Sequence, residues 1–279
     1  MIRLQRLFAV LVLLAVPTGG AGAGVSDWVT VQGGAVRLVS AGRIADGTYL
    51  AGLEFALDPG WHTYWRFPGE AGIPPEIDLS GSANMAASRI HYPAPERFFD
   101  GFSSSIVYHD GVVLPIEVEA GDAAAPVDLT AAVFFGLCND ICIPAEARLA
   151  LTLDPNGRTD TVSLKAIRAA QAAVPAPAAA DGPRVVSVDV VPGKRAPKLI
   201  IAAELAEASD QTIDLFAEGP PGSSIALPDL VSRDGGRAVW SLSTRGLRHD
   251  GTGADLRLVL VVGDRASESV HRVNAASLK

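Results

Sequence analysis

The stretch VDLTAAVFFGLCNDICIPAEARLALTL, Val127 to Leu153, decides how the chain is read. Val127–Phe135 and Ala147–Leu153 each place apolar residues near period two, the signature of a strand with one face in a core. Between them stand Cys138 and Cys142, the chain's only cysteines, separated by Asn139, Asp140 and Ile141. Outward from this stretch the same alternation recurs. Ala35–Ser40, Thr48–Leu57 and Val112–Glu119 read as strands before it. Arg184–Val191, Lys198–Glu204, Thr212–Glu218, Ala238–Ser243, Asp255–Val262 and Val270–Val273 follow it. Gly, Pro, Asp and Asn bound these runs and supply turns. Short strands at this spacing predict an all-β fold of two immunoglobulin-like β-sandwich domains.

One helix is expected, over Thr161–Ala173, where Ala and other good helix formers dominate. It runs into the Pro/Ala stretch Val174–Ala180, which reads as a linker. The organisation expected is therefore a leader at 1–23, a cysteine-bearing sandwich at 24–158, helix and linker at 159–183, and a second sandwich at 184–279. The second half has no cysteine, and its histidines are His249 and His271. It shows no catalytic constellation.

The leader has the order of a secretory signal peptide: Arg3 and Arg6, the apolar run Leu7–Val16, then Pro17, Gly19, Gly20 and the small residues Ala21-Gly22-Ala23. The run is too short to span a bilayer, which takes about 20 apolar residues. An exported location follows, and it permits disulfides. Formal net charge is −8, and about −10 without the two leader arginines. No Lys/Arg cluster could follow a phosphate backbone, so nucleic acid is not expected as a partner. No P-loop, zinc-protease motif or nucleophile elbow is present, and no cofactor is implied.

The spacing of the cysteines bears on their role. Closing a loop of about five residues restrains the unfolded chain by only about 2 kcal/mol, far less than a bridge between distant strands. A link between near neighbours is a poor staple, but it can be made and broken while both sulfurs stay close. Three readings remain: a redox pair, a local structural clip, or a transient metal site. The third has little support, because zinc takes four ligands and His62 and Met85 are remote in sequence. Asp140 lies between the cysteines, and no Lys, Arg or His stands within five residues of either. A carboxylate there disfavours the thiolate, so Asp140 is a candidate for tuning the pair, with Glu146 a more distant one. Gly101–Ser105 reads as a flexible turn. Trp61, Tyr64 and Trp65 read as packing residues or as the rim near the cysteines.

The segment LCNDICIPAEARLALTL resembles the cysteine-bearing strand pair in the N-terminal periplasmic domain of DsbD-type thiol:disulfide interchange proteins, and is closer to their ScsB-like branch. Further similar blocks, in the same order, are Pro59–Leu79 (PGWHTYWRFPGEAGIPPEIDL), Tyr92–Phe98 (YPAPERF) and Tyr108–Val118 (YHDGVVLPIEV). The resemblance implies a sandwich with a redox-active pair at Cys138 and Cys142. A membrane-embedded or thioredoxin-like donor would reduce it, and a periplasmic thioredoxin-fold oxidoreductase would accept its electrons. The chain would then be one component of a protein-disulfide reductase. An aromatic loop over the pair is also implied, which here is Glu96–Phe102, with Phe98 or Phe99 as the cap and Phe102 beside them. Ordinary core packing is the alternative for these rings. By the same analogy Cys142 attacks the downstream partner. In the better-known DsbD branch the cysteines lie further apart, so the cap geometry need not be the same. Family members usually continue past the equivalent of Lys279 into membrane-spanning helices and often a thioredoxin-like domain. Two rival functions stand beside this one: a non-catalytic binding module with a structural disulfide, and a copper-handling protein.

Overall fold

The computed structural model describes residues 24–205 and 211–278. The expected leader, 1–23, lies outside them. The first sandwich runs through β1 (Val29–Val31), β2 (Gly34–Ala45), β3 (Thr48–Leu57), β4 (His62–Gly69), β5 (Glu76–Asp78), β6 (Met85–Ile90), β7 (Glu96–Phe99), β8 (Ser104–His109), β9 (Gly111–Ala120), β10 (Val127–Cys138) and β11 (Cys142–Leu153). One sheet has the order β1-β2-β3-β9-β6 and the other β11-β10-β4-β8-β7, with β5 against β10. All these pairings are antiparallel.

Strand β10 shows why the sheets face one another. Val127, Leu129, Ala131, Val133, Phe135 and Leu137 are all buried, on alternate positions of one strand, and so share one face. They meet Val36, Leu38, Leu53 and Phe55 of the opposite sheet in one core, where Phe55 and Phe135 pack edge to face at 5.2 Å.

The first sheet is covered on its outer face as well. Helix α1 (Thr161–Ala172) lays Ile167 on Val39, Ala41 and Leu50. Asp160 starts the helix by accepting hydrogen bonds from the backbone N–H groups of Val162 and Ser163, which no carbonyl within the helix can take. The chain then enters the second sandwich: β12 (Ala176–Pro177), β13 (Arg184–Val191), β14 (Lys198–Glu204), β15 (Ile213–Glu218), β16 (Asp229–Asp234), β17 (Arg237–Ser243), β18 (Gly253–Val262) and β19 (Arg265–Asn274). Its sheets are β12-β19-β18-β15 and β13-β14-β17-β16, around Leu199, Ile201, Trp240, Leu258 and Leu260. No helix among the described residues is long and apolar enough to cross a membrane.

The two sandwiches share apolar surface. Phe216, Leu227 and Val259 of the second belong to the core cluster of the first. The contact is built by a break in β4. Tyr64 pairs with Val107, but the next paired residue is Gly69, opposite Ser105. The excess residues bulge outward, as extra residues in one strand must. They carry Trp65 onto Phe216 and Phe67 between the two cores. Arg66, on the same bulge, donates to Glu218 and Glu268, each at 2.8 Å, and Arg257 donates to Glu268 at 2.6 Å. Two cations thus meet two carboxylates at the junction.

Of Gly101–Ser105, expected as a flexible turn, the last two residues depart from it. Ser104 and Ser105 are strand residues of β8, and Ser105 is buried with its hydroxyl donating to the Ala71 carbonyl. A small hydroxyl side chain can be buried in a strand when a backbone oxygen satisfies it.

Candidate functional site: the Cys138–Cys142 disulfide

Strands β10 and β11 pair without a slip from Val127–Leu153 up to Cys138–Cys142. The cysteines are therefore directly opposed at the turn end of the hairpin, with Cα atoms 4.1 Å apart, and they form a disulfide. Asn139, Asp140 and Ile141 make the connection, closed by a bond from the Asn139 N–H to the Ile141 carbonyl. The two sulfur-bearing residues differ in access. Cys138 is 1% exposed, whereas Cys142 lies on the exposed surface.

The row continues across the sheet. Cys138 is opposite His62 on β4, and His62 is opposite His109 on β8. Residues directly opposite share a face, so Cys142, Cys138, His62 and His109 line up side by side. Two residues along β4, on that same face, Tyr64 points its hydroxyl at the sulfurs: 2.8 Å from Cys138 Sγ and 3.2 Å from Cys142 Sγ. A disulfide sulfur carries no hydrogen, so the Tyr64 hydroxyl is the donor. Burial raises the Tyr64 pKa above its usual value and the nearby Asp100 charge adds to this, so the proton stays on the oxygen at neutral pH.

Two glycines make room for the Tyr64 ring. A Cβ on Gly136 would come within 2.7 Å of Ile73 Cβ and 3.1 Å of Tyr64 Cε2. Gly72, at φ +132°, abuts the other edge of the ring so closely that a Cβ there would collide with it.

His62 is 4% exposed. Burial, reinforced by the neighbouring His109, lowers its pKa to about 4, so the ring is neutral around pH 7. Its neighbours are aromatic: Tyr64 at 5.6 Å edge to face, His109 at 5.7 Å and Phe98 at 4.6 Å. Folding therefore brings histidines beside the pair that sequence distance concealed. Among the described residues no group of three or more His, Cys, Asp or Glu is arranged to hold a metal ion.

The cap candidates separate cleanly. Phe98 packs on the cluster of Tyr64, Val107 and Cys138, and also against His109 at 5.4 Å. Phe99 is 63% exposed and Phe102 98% exposed, so neither is a core residue. The segment expected as a loop is in its first half the edge strand β7, hydrogen-bonded to β8 from Glu96 to Phe99. The turn that follows is organised by Asp100, whose carboxylate accepts from the N–H groups of Ser103 and Phe102 and has its pKa lowered by them.

Asp140 is exposed in the connection, and Glu146 is exposed on β11 opposite Phe134, four residues beyond Cys142. Of the three aromatics expected as packing residues or as the rim near the cysteines, Trp65 is fully buried in the core, Trp61 packs partly buried at its edge, and Tyr64 reaches the sulfurs, as the rim reading allows. Strand alternation, not sequence proximity, aims it there.

The disulfide thus sits at the end of a hairpin with one sulfur-bearing residue exposed and the other buried. Residues 31–154, most of the first sandwich, match the family described as "Thiol:disulfide interchange protein DsbD, N-terminal". Both sandwiches together share the fold of the N-terminal periplasmic domain of ScsB from Proteus mirabilis. The TM-score is 0.71 at 22% identity, over 91% of this chain and 99% of that one. No curated protein sequence matches the chain.

Proposed function

We propose that the chain is an exported, periplasmic electron-relay module that works through reversible opening of the Cys138–Cys142 disulfide. The observation that carries this reading is the unequal access of the two residues: Cys142 is exposed while Cys138 is buried in the cluster that Phe98 packs against. In the reduced pair, the Cys142 thiolate attacks a partner's disulfide, and the displaced partner thiolate takes up a proton. Cys138, deprotonated in turn, attacks Cys142 Sγ in the mixed disulfide and releases the partner as a dithiol. Two electrons and two protons pass to the partner, and the intramolecular disulfide is restored. An upstream dithiol, from a membrane-embedded or thioredoxin-like donor, reverses the exchange. The acceptor is a periplasmic thioredoxin-fold oxidoreductase.

The surroundings fit a pair held quiet until docking. Tyr64 can donate to whichever sulfur bears charge, which helps a leaving thiolate. The neutral His62 adds no positive charge to activate a thiolate. Cys138, buried in the cluster that Phe98 packs against, is shielded from stray thiols.

Two measurements test the reading. The equilibrium potential of the pair against dithiothreitol is expected above about −300 mV; a lower value marks a structural bridge and ends the proposal. Cys138→Ser is expected to trap a mixed disulfide with an oxidised thioredoxin-fold protein through Cys142, and Cys142→Ser is not. The reverse pattern overturns the assigned order of attack.

A further inference from the structure

The strand that carries the cap is held from two sides. Strand β7 is four residues long and lies at the edge of its sheet, with hydrogen bonds to β8 alone. Alternation sends Phe98 toward the disulfide face and Arg97 the opposite way. Arg97 leaves the first sandwich altogether. Its Nε donates to Asp214 Oδ2 at 3.0 Å and its Nη2 to Asp214 Oδ1 at 2.7 Å, a bidentate pair with β15 of the second sandwich. The same Nη2 donates to the Pro228 carbonyl at 2.9 Å. Both side chains are about three-quarters shielded from solvent, which keeps the charge-assisted bonds from being fully screened. Asp214 Oδ1 also accepts from the Leu215 N–H at 2.7 Å, which fixes the carboxylate in the orientation that Arg97 meets.

We propose that Arg97 and Asp214 are positioning residues through which the second sandwich holds β7, and with it Phe98, against the cluster that contains Tyr64 and Cys138. Lifting Phe98 requires β7 to move. The backbone between Phe98 and Arg97 is one peptide unit, so β7 cannot swing from β8 without stretching the bidentate pair. The second sandwich has no cysteine of its own, and its part in the exchange is to set how often the cap opens. A partner that displaces Phe98 must therefore also strain or break this contact. This assignment rests on the relay reading for its biological purpose, but the coupling itself can be measured without any protein partner.

The experiment is the rate at which dithiothreitol reduces the disulfide in the full chain, followed by thiol alkylation and mass. Asp214→Asn and Arg97→Gln are each expected to accelerate reduction about tenfold, the effect of losing one charge-assisted contact. Arg97→Lys, which retains the charge, is expected to fall between them and the unaltered protein. Glu218→Gln weakens the Arg66 cluster at the same junction without touching β7, and is expected to leave the rate within about twofold. Hydrogen exchange at the β7 amides bonded to β8 reports cap opening directly, and is expected to quicken in Asp214→Asn and Arg97→Gln and not in Glu218→Gln. The proposal is overturned if Asp214→Asn reduces no faster than the unaltered chain while its circular dichroism is unchanged. It is equally overturned if Glu218→Gln accelerates reduction as much, because the effect is then general loosening of the junction. A chain that reduces no partner protein would refute the relay and leave this rate comparison intact.

Discussion

The two sandwiches are built from the same alternation but spend it differently. In the second, the inner faces of both sheets seal one core, in which Trp240 packs with Leu199, Ile201, Leu258 and Leu260. In the first, the sheet that bears β10 and β4 buries both faces at one end. Leu137 faces the core, while Cys138, His62 and Tyr64 face outward yet are covered by their neighbours. A sealed core offers stability and no chemistry. A second, shallow cluster on the outer face offers a dry place for a reactive bond, closed by a strand that can move. The second sandwich contributes its outer face to the first, through Phe216, Val259, Glu218 and Asp214.

Breaking the sealed core has the largest expected effect. Trp240→Ala should cost about 3–5 kcal/mol, read as the shift in a urea unfolding curve, because the cavity cannot refill. A loss under about 1 kcal/mol would show that the second sandwich is not the rigid support described above.

The covered cluster of the first sandwich should respond to pH. The folded pKa of His62, about 4, lies below its ordinary 6.5, so the unfolded chain takes up the proton first as pH falls. Its contribution is fully present above about pH 6.5, is lost between about 6.5 and 4, and is flat below. The whole change is on the order of 3 kcal/mol. Unfolding midpoints across this range should fall with pH, and His62→Phe should flatten the curve. An unchanged slope in His62→Phe would place the sensitivity elsewhere.

The smallest effect sharpens the contrast. The disulfide closes only a short loop, so Cys138→Ser/Cys142→Ser should lower stability by about 2 kcal/mol or less and leave the circular dichroism spectrum unchanged. Collapse of the first sandwich in this variant would make the bond a staple, not a site.

Most strands of the second sandwich are legible in the sequence, but only five of the eleven in the first. Thr48–Leu57, Arg184–Val191 and Lys198–Glu204 end where alternation ends, because one face of each meets a core and turn residues close them. Strand β4 was not legible. His62, Thr63, Tyr64 and Trp65 are all buried, so period two vanishes, and the bulge before Gly69 breaks what remains. Strand β7 reads as loop because four residues on an edge carry too little pattern. The cysteines are visible by composition and spacing and Tyr64 only as one of three rim candidates, whereas no local signal marks a role for His62, Arg97 or Asp214.

By itself the sequence determined an all-β chain of two sandwiches, the position of its helix, and the pair of cysteines near enough to join in any fold. These follow from local periodicity, capping and loop length, which depend on neighbours along the chain. Only the tertiary structure decided which sulfur-bearing residue faces outward, which tyrosine reaches both sulfurs, and that Arg97 of the cap strand is held by the other domain. Those features depend on cross-strand register and on the docking of two sheets, and contacts across about a hundred residues of chain leave no period in the sequence to read.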